Sequence, residues 1–416
     1  MMIFEQLTGD LGGAADAGGA WHLSDRFAQA MDYSNAAPIP PEIVLEARLG
    51  AFTGARAASA LARDCAYKLG GAHDDRRVSA CALYVGRTSD RAVPERLGCA
   101  EAVLERAAAL GADRAPRLAA LDCDDAPWQH CRALAGADFG ELLLVVDSSA
   151  DPLLQQRNFA YGREECDRLM RRPPAWILCF GDRAGRAASE AGAARVRDLL
   201  RGLLPAVDGV YLLPLLLAAP RTAETLPRAA EELVAELAAT LAKAGLRRAA
   251  PGLWLARGRL HRSAGSPLLM RLLACQSQGD YIGIGPLAVS RIDRVRFRNW
   301  AEPETYRSGV HASGHGIAQS WTPSAYEGFV AELLAALALG EAVDLRSLAS
   351  RHQLARPRLL DELKRCFASL SEQGAVSWQG PLTVLVPTAA DAHFARIVAA
   401  LGALREAVGI IALRET

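Results

Sequence analysis

Closely spaced cysteines are absent from this chain of 416 residues. Its nine cysteines stand at positions 65, 81, 99, 123, 131, 166, 179, 275 and 366, so no CxxC or CxxxC pair occurs. Zinc and iron–sulfur sites usually take two or more thiolates from one short loop, and the sequence therefore excludes a local site of that kind. An odd and scattered set is typical of buried, reduced thiols, from which we expect a cytoplasmic protein.

Surplus charge and long apolar runs are also absent. Lys+Arg and Asp+Glu both number 47, which argues against a nucleic-acid-binding protein because phosphate binding needs surplus cations. The longest apolar run, residues 207–220, contains Asp208 and two prolines and falls short of the roughly 20 residues of a membrane helix. The segment MMIFEQLTGDLGG has no basic region followed by an apolar stretch, so we expect no secretory signal. GxSxG, HExxH and P-loop motifs do not occur.

The sequence does contain short apolar runs that alternate with longer stretches of helical period. The apolar runs predict strands at residues 80–85, 117–121, 141–146, 176–180, 207–213 and 253–256. The periodic stretches predict helices at residues 94–110, 162–171, 187–204 and 225–244. Such alternation implies an α/β architecture of parallel strands and crossover helices, in either an open doubly wound sheet or a barrel.

This pattern divides the chain into consecutive parts that differ in composition and predicted secondary structure. Residues 1–45 are predicted to be an N-terminal extension that packs on another part of the protein, and residues 46–260 a partial β/α barrel. Residues 261–325 are predicted to be a glycine-punctuated segment that closes the barrel and then connects onward. Residues 326–416 are predicted to form a small helical domain with a short strand pair, similar in layout to a winged helix.

Three segments carry a resemblance to a known family. Residues 279–292 read GDYIGIGPLAVSRI, and residues 142–170 and 177–182 contain further strand-and-turn patterns. Together they resemble the oxygen-independent coproporphyrinogen III oxidase family of radical SAM proteins and its heme-chaperone relatives, which carry a phrase of the type GDYLGIGPGAHSRL. The resemblance covers about residues 75–400. It implies a partial (β/α)6 barrel, open on one side, followed by an α-rich C-terminal domain.

The residues that serve the family's cofactors are missing. In the family a CxxxCxxC loop after the first strand holds a [4Fe–4S] cluster. The strand at residues 80–85 is predicted to be the first, and the loop that follows it, GRTSD, has no cysteine. The family's GGGTP-type turn at the methionine end of SAM falls at residues 123–127, where Asp124 and Asp125 would repel the SAM carboxylate. The resemblance therefore implies no [4Fe–4S] cluster, leaves SAM binding open and implies no other cofactor.

Polar residues near the predicted strand ends are candidates for contacts with a ligand, because the carboxyl ends of barrel strands usually carry the site. The residues predicted to line a ligand are Tyr84, Arg87, Cys123, Asp124, Asp147, Ser148, Asp280 and Arg291. Asp147 and Ser148 can equally cap the next helix. No catalytic residue and no metal ligand is predicted.

Two other groups of residues have both a functional and a structural interpretation. Arg294, Arg296 and Arg298 alternate along a predicted strand and can meet a carboxylate-rich or phosphorylated ligand, or form surface ion pairs, with Arg291 out of phase. His311 and His315 have metal-ligand spacing, but the glycines around them argue against a helix and favour exposed loop histidines.

A third group has the same two interpretations. Cys123, His130 and Cys131, with Asp124 and Asp125, are the only local mixture of soft ligands and carboxylates in the sequence. The pattern favours a loop and a helix start, with Asp in the first turn, over a ligand site.

Three functions remain open at this point. The first is a radical-SAM-like pseudoenzyme without a cluster, which acts as a binding or partner protein in a natural-product or tetrapyrrole biosynthetic pathway. The second is an enzyme that uses the barrel mouth for cluster-independent chemistry on a small molecule, with or without SAM. The third is a tetrapyrrole or heme carrier, although residues 271–276 lack the His and Trp of the relatives' HNxxYW phrase. The expected partners are another protein, a small molecule or a second copy of the chain.

Overall fold

The structure is a computed structural model, and it describes most of the chain. The described residues are 20–35, 42–49, 54–70, 78–87, 93–109, 117–123, 139–147, 151–169, 174–181, 190–212, 228–256, 279–354, 357–372, 376–379 and 383–385.

One mixed sheet organises the described part of the chain. Its strands are β1 (Ile43–Arg48), β2 (Val78–Arg87), β3 (Arg117–Cys123), β4 (Glu141–Asp147), β5 (Ala175–Gly181), β6 (Gly209–Tyr211), β7 (Leu246–Ala250), β8 (Leu253–Ala256), β9 (Asp280–Ile284), β10 (Val289–Ile292), β11 (Val295–Asn299) and β12 (Ile317–Trp321). The spatial order is β12-β11-β10-β9-β1-β2-β3-β4-β5-β6-β8-β7. Strand β9 and strands β1 to β6 run parallel, and the strands at both flanks are antiparallel. Within the described residues the end strands β12 and β7 do not pair, so the predicted barrel open on one side is confirmed.

Helices connect the strands and build the C-terminal part. They are α1 (Ala20–Asn35), α2 (Ala55–Gly70), α3 (Val93–Ala107), α4 (Pro152–Leu169), α5 (Glu190–Leu203), α6 (Arg228–Lys243), α7 (Pro303–Ser313), α8 (Ala325–Ala338), α9 (Leu345–Arg351) and α10 (Pro357–Glu372). A small second sheet, in the order β13-β15-β14, consists of Val343–Asp344, Thr383–Leu385 and Ser377–Gln379. Among the described residues, no helix is both long and apolar enough to cross a bilayer.

The parallel series begins earlier than the sequence predicts. Strand β1 lies in the middle of the sheet between β9 and β2, so the strand at residues 80–85 is the second of the series and the prediction that it is the first is wrong. Sequence patterns miss β1 because Glu46 and Arg48 interrupt its apolar run. The predicted extension also contributes α1, whose Phe27 ring lies 5.0 Å from that of Phe297 in β11.

The two faces of the sheet differ in what covers them. Crossover helices cover one face, where Phe159 of α4 packs edge-on against the fully buried Trp176 of β5. The register of β1 to β5 together with the alternation of side chains puts Glu46, Arg48 and Tyr84 on the opposite face. We call that opposite face the inner face. It is the more polar of the two and leaves Arg48 and Tyr84 partly exposed.

We expect Gly283→Ala to destabilise the sheet where β9 meets β10. A Cβ at Gly283 would lie 2.4 Å from the carbonyl oxygen of Val289, and backbone atoms cannot yield as a flexible side chain does. Such overpacking costs about 1–3 kcal/mol, which urea unfolding measures. The control is Gly98→Ala in α3, where a Cβ meets open space and better helix propensity adds up to about 1 kcal/mol. Wild-type stability of Gly283→Ala would contradict the prediction.

Candidate functional site

The carboxyl ends of the parallel strands form one edge of the sheet. Tyr84 and Arg87 lie at the end of β2, Cys123 ends β3 and Asp147 ends β4. The register aligns these ends across neighbouring strands, with Arg87 opposite Asp122. The structure therefore brings four of the predicted residues to one edge, and their contact with a ligand stays a prediction. The predicted residues Asp124 and Ser148 lie outside the described residues.

Asp280 lies at the opposite edge, because it begins β9 and β9 runs parallel to β1. Its buried carboxylate accepts hydrogen bonds from the Ser34 hydroxyl and from the backbone N–H of Asp293 at 2.8 Å. Asp293 has a positive φ of 52° in the turn between β10 and β11, so Asp280 stabilises that turn. Asp280 therefore lies apart from the predicted residues at the carboxyl edge, and its contact with a ligand stays a prediction.

The arginines of β10 and β11 are arranged differently from the prediction. Arg291 pairs directly with Arg296 across the two antiparallel strands, so these two side chains share the inner face with Arg298. Arg294 is exposed in the two-residue turn between the strands and does not belong to the set. The prediction that Arg291 is out of phase is wrong because this turn places positions 291 and 296 in register, which sequence alternation alone cannot show.

Sequence reasoning missed further polar groups of the inner face. The Glu46 carboxylate is almost fully buried and lies 3.2 Å from Nε of Arg48. Tyr211 ends β6 next to Cys179 of β5, and its side chain is fully buried. Within the described residues its hydroxyl has no hydrogen-bond partner, and burial raises its pKa well above the usual range. No motif signals these residues, since each follows from strand register.

The two histidines with metal-ligand spacing diverge. His311 lies in helix α7, which includes Gly309 and ends at Gly314, and it is exposed near Arg63. The prediction that the glycines prevent a helix is therefore wrong. His315 follows the helix end and is buried, where its Nδ1 accepts a hydrogen bond from the backbone N–H of Ile317 at 3.2 Å.

Metal-ligand clusters are absent from the part of the chain that the structure describes, where no group of three or more His, Cys, Asp or Glu side chains could hold a metal ion. His130, Cys131, Asp124 and Asp125 lie outside that part.

A fully buried ion pair fixes the carboxyl end of β9. In α2, Nζ of Lys68 donates to Oδ2 of Asp64 at 3.0 Å, and neither side chain is exposed. The same ammonium donates to the carbonyl oxygen of Gly283 at 2.7 Å and to Oδ1 of Asn299 at 2.8 Å. Burial lowers the pKa of Lys68, while the charge of Asp64 acts in the opposite direction. All three donors of the ammonium are thus used.

The carboxylate side of this pair is equally well bonded. Oδ2 of Asp64 accepts a hydrogen bond from the Tyr306 hydroxyl at 2.7 Å, and Oδ1 accepts one from the backbone N–H of Gly316 at 3.0 Å. The Tyr306 oxygen in turn accepts from the N–H of Gly285. We call Asp64, Lys68, Asn299 and Tyr306 the buried network. It positions the turn after β9 against the end of β1, where a Cβ at Gly285 would meet the Arg48 carbonyl at 2.3 Å.

Comparison with known proteins identifies the fold. No protein-family model and no curated protein matches the chain. Among solved structures, the chain is similar to coproporphyrinogen III oxidase (HemN) from Escherichia coli, a radical SAM enzyme. The TM-score is 0.62 at 14% identity, and the match covers 91% of this chain and 92% of that one. The chain therefore has the fold of this radical SAM enzyme over nearly its whole length.

Proposed function

We propose that this protein uses the radical SAM fold without an iron–sulfur cluster and acts as a binding or partner protein in a biosynthetic pathway. The observation that carries the proposal is the position of β1. In the family that the sequence resembles, the CxxxCxxC loop follows the first parallel strand. With β1 as that strand, the loop is residues 49–54, which read LGAFTG and contain no cysteine.

Five cysteines whose side chains the structure describes do not fit a cluster either. Cys65, Cys81, Cys99, Cys166 and Cys179 are all buried, and they belong to separate elements. Cluster ligation requires thiolates, whereas burial raises the pKa of both Cys65 and Cys81 to about 12.

The revised strand assignment also changes which residues of this sequence correspond to the family's SAM-contacting turn. The family's GGGTP-type turn follows the second strand, which is β2, so it falls at residues 86–90 rather than 123–127. These residues read GRTSD and keep one glycine. Side chains at the other positions hinder the close backbone approach that a glycine turn allows, and this supports loss of SAM binding.

A second candidate function is an enzyme with cluster-independent chemistry on a small molecule at the carboxyl edge. The buried Tyr211 hydroxyl favours it, because an unbonded buried hydroxyl costs about 1–3 kcal/mol unless a ligand or water bonds to it. The Glu46–Arg48 pair adds ionisable groups to the same face. The tetrapyrrole-carrier hypothesis concerns residues 271–276, which lie outside the described residues. Contacts among the described residues do not support that hypothesis.

The test is anaerobic reconstitution of the purified full-length chain with iron and sulfide, followed by metal analysis, an absorbance spectrum and calorimetric titration with SAM. The Escherichia coli oxidase, treated in parallel, controls for reconstitution. We expect substoichiometric iron and sulfide, no cluster absorbance and no SAM binding. A stoichiometric cluster would overturn the proposal. SAM binding without a cluster would replace it with the enzyme hypothesis, and heme absorbance after purification would replace it with the carrier.

A further inference from the structure

Helix α4 carries most of the large apolar side chains that are exposed in the described part of the chain. Of six such side chains, four belong to α4, namely Leu153, Leu154, Tyr161 and Leu169. Leu153 is 71% exposed and Tyr161 is 53% exposed. Single exposed leucines are common on protein surfaces, but a group of them on one helix indicates a contact surface for another molecule.

Three of these apolar side chains share one side of the helix with other exposed residues. Between residues 153 and 164 the exposed positions recur at intervals of three, four and seven residues, which places them along a single stripe. The six residues of this stripe, which we call the α4 stripe, are Leu153, Leu154, Arg157, Ala160, Tyr161 and Glu164. The opposite side of α4 is buried, and its Phe159 packs against Trp176 of β5. The α4 stripe therefore faces away from the sheet.

The two charged side chains of the α4 stripe, Arg157 and Glu164, form no ion pair within the described residues. The remaining arginines of the helix, Arg163 and Arg168, form ion pairs with carboxylates of the chain. Glu164 acts on Arg168 electrostatically, but the guanidinium of Arg168 is bonded to Glu165 at 2.6 Å. Arg157 and Glu164 are seven residues apart, or about 10.5 Å along the helix, so they cannot pair with each other. Both charges remain available to a partner.

A second copy of α4 supplies partners for both charges when the two helices pack antiparallel. A two-fold axis between Ala160 and Tyr161 puts Arg157 of each copy opposite Glu164 of the partner subunit, because the two residues are equally far from the axis. The small side chain of Ala160 allows the helices to approach closely at that point. A parallel pair would instead place Arg157 opposite itself, which is repulsive. The charge pattern therefore fits an antiparallel pair.

We propose that the α4 stripe is the contact surface of a homodimer, in which two copies of α4 pack antiparallel and form two ion pairs between Arg157 and Glu164. This inference goes beyond the proposed function and does not rest on it, because the stripe faces away from the sheet and neither a cluster nor a ligand enters the argument. One helix from each copy is expected to bury less than the about 800 Å² per partner of a standard interface. We therefore expect a weak dimer, with a dissociation constant of about 1–100 μM.

The test is sedimentation velocity of the full chain at concentrations from about 1 to 200 μM, which bracket the expected dissociation constant. We expect a monomer–dimer equilibrium in the wild type. Arg157→Glu should weaken the dimer at least about tenfold, which corresponds to 1.4 kcal/mol, because the interface then contains two pairs of like charges. Glu164→Arg should have the same effect. The double variant, Arg157→Glu with Glu164→Arg, restores opposite charges and should dimerise within about threefold of the wild type.

The matched control is Arg56→Glu, which makes the same charge change at an exposed position of α2 and should alter the dissociation constant less than about twofold. Leu153→Ser removes an exposed apolar side chain, so it should weaken the dimer and leave the urea midpoint of the dilute monomer unchanged. The inference is overturned if the wild type stays monomeric over this range or if Arg56→Glu weakens the dimer as much as Arg157→Glu does. It is also overturned if the double variant fails to restore the dimer.

Discussion

Replacing Lys68 with Met is expected to lower the free energy of unfolding by about 3–5 kcal/mol, the usual cost of removing one partner from a buried ion pair. The substitution leaves the Asp64 carboxylate fully buried with no cation within the buried network. It also removes the hydrogen bonds from the ammonium to Gly283 and Asn299. Urea unfolding, followed by far-UV circular dichroism, measures the loss.

Two further variants separate this effect from a simple loss of packing. Asp64→Asn combined with Lys68→Met removes both charges, so we expect the double variant to be more stable than Lys68→Met alone. Arg201→Ala breaks a pair with Asp198 in which both side chains are mostly exposed, and it should change stability by less than about 1 kcal/mol. A Lys68→Met variant as stable as Arg201→Ala would contradict the role given to the buried network.

The buried network also bears on the site, because its hydrogen bonds end on the turn after β9. Asn299 donates to the carbonyl oxygen of Gly285 at 2.7 Å, and the N–H of Gly285 donates to Tyr306. This turn packs against the last residue of β1, Arg48, whose side chain belongs to the inner face. Charges buried in α2 thus hold the β1–β9 side of the carboxyl edge in place.

The sequence was sufficient to predict most of the parallel strands, because their buried apolar runs are continuous. Strands β3, β4 and β5 agree closely with the runs at residues 117–121, 141–146 and 176–180. A hydrophobicity pattern misses β1 because the charged residues Glu46 and Arg48 interrupt its apolar run. Charged residues within a strand therefore conceal that strand from a hydrophobicity pattern.

Placement of the arginines and of the buried network requires tertiary structure. Asp64 and Lys68 have the i,i+4 spacing of an ordinary surface ion pair, and only the packing of α2 on β9 and β11 shows that they are buried. The opposition of Arg291 and Arg296 depends on a turn of two residues, and a turn one residue longer would have separated them. Buried apolar strands can be predicted from the sequence, whereas the register between strands cannot.

The thiols of Cys65 and Cys81 are expected to react with iodoacetamide at pH 8 about 1,000-fold more slowly in the native chain than in urea. Burial raises both pKa values from 9.0 to about 12, and each unit lowers the reactive thiolate fraction about tenfold. Mass spectrometry of the two cysteine-containing peptides measures the rates separately, and the chain in urea supplies the reference. Native labelling of either thiol at the urea rate would contradict the prediction.

The same pKa shifts make stability depend on pH in the alkaline range. A thiol whose pKa is about 12 when folded and 9.0 when unfolded contributes stability in full below pH 9 and loses it as the pH rises toward 12, because the unfolded chain releases its proton first. For Cys81 alone the loss approaches about 4 kcal/mol. Cys81→Ala should therefore lose less stability between pH 9 and 12 than the wild type does, whatever its stability at pH 7. An equal alkaline loss in both proteins would mean that Cys81 ionises freely in the fold, and the case against thiolate ligands would lose its support at this position.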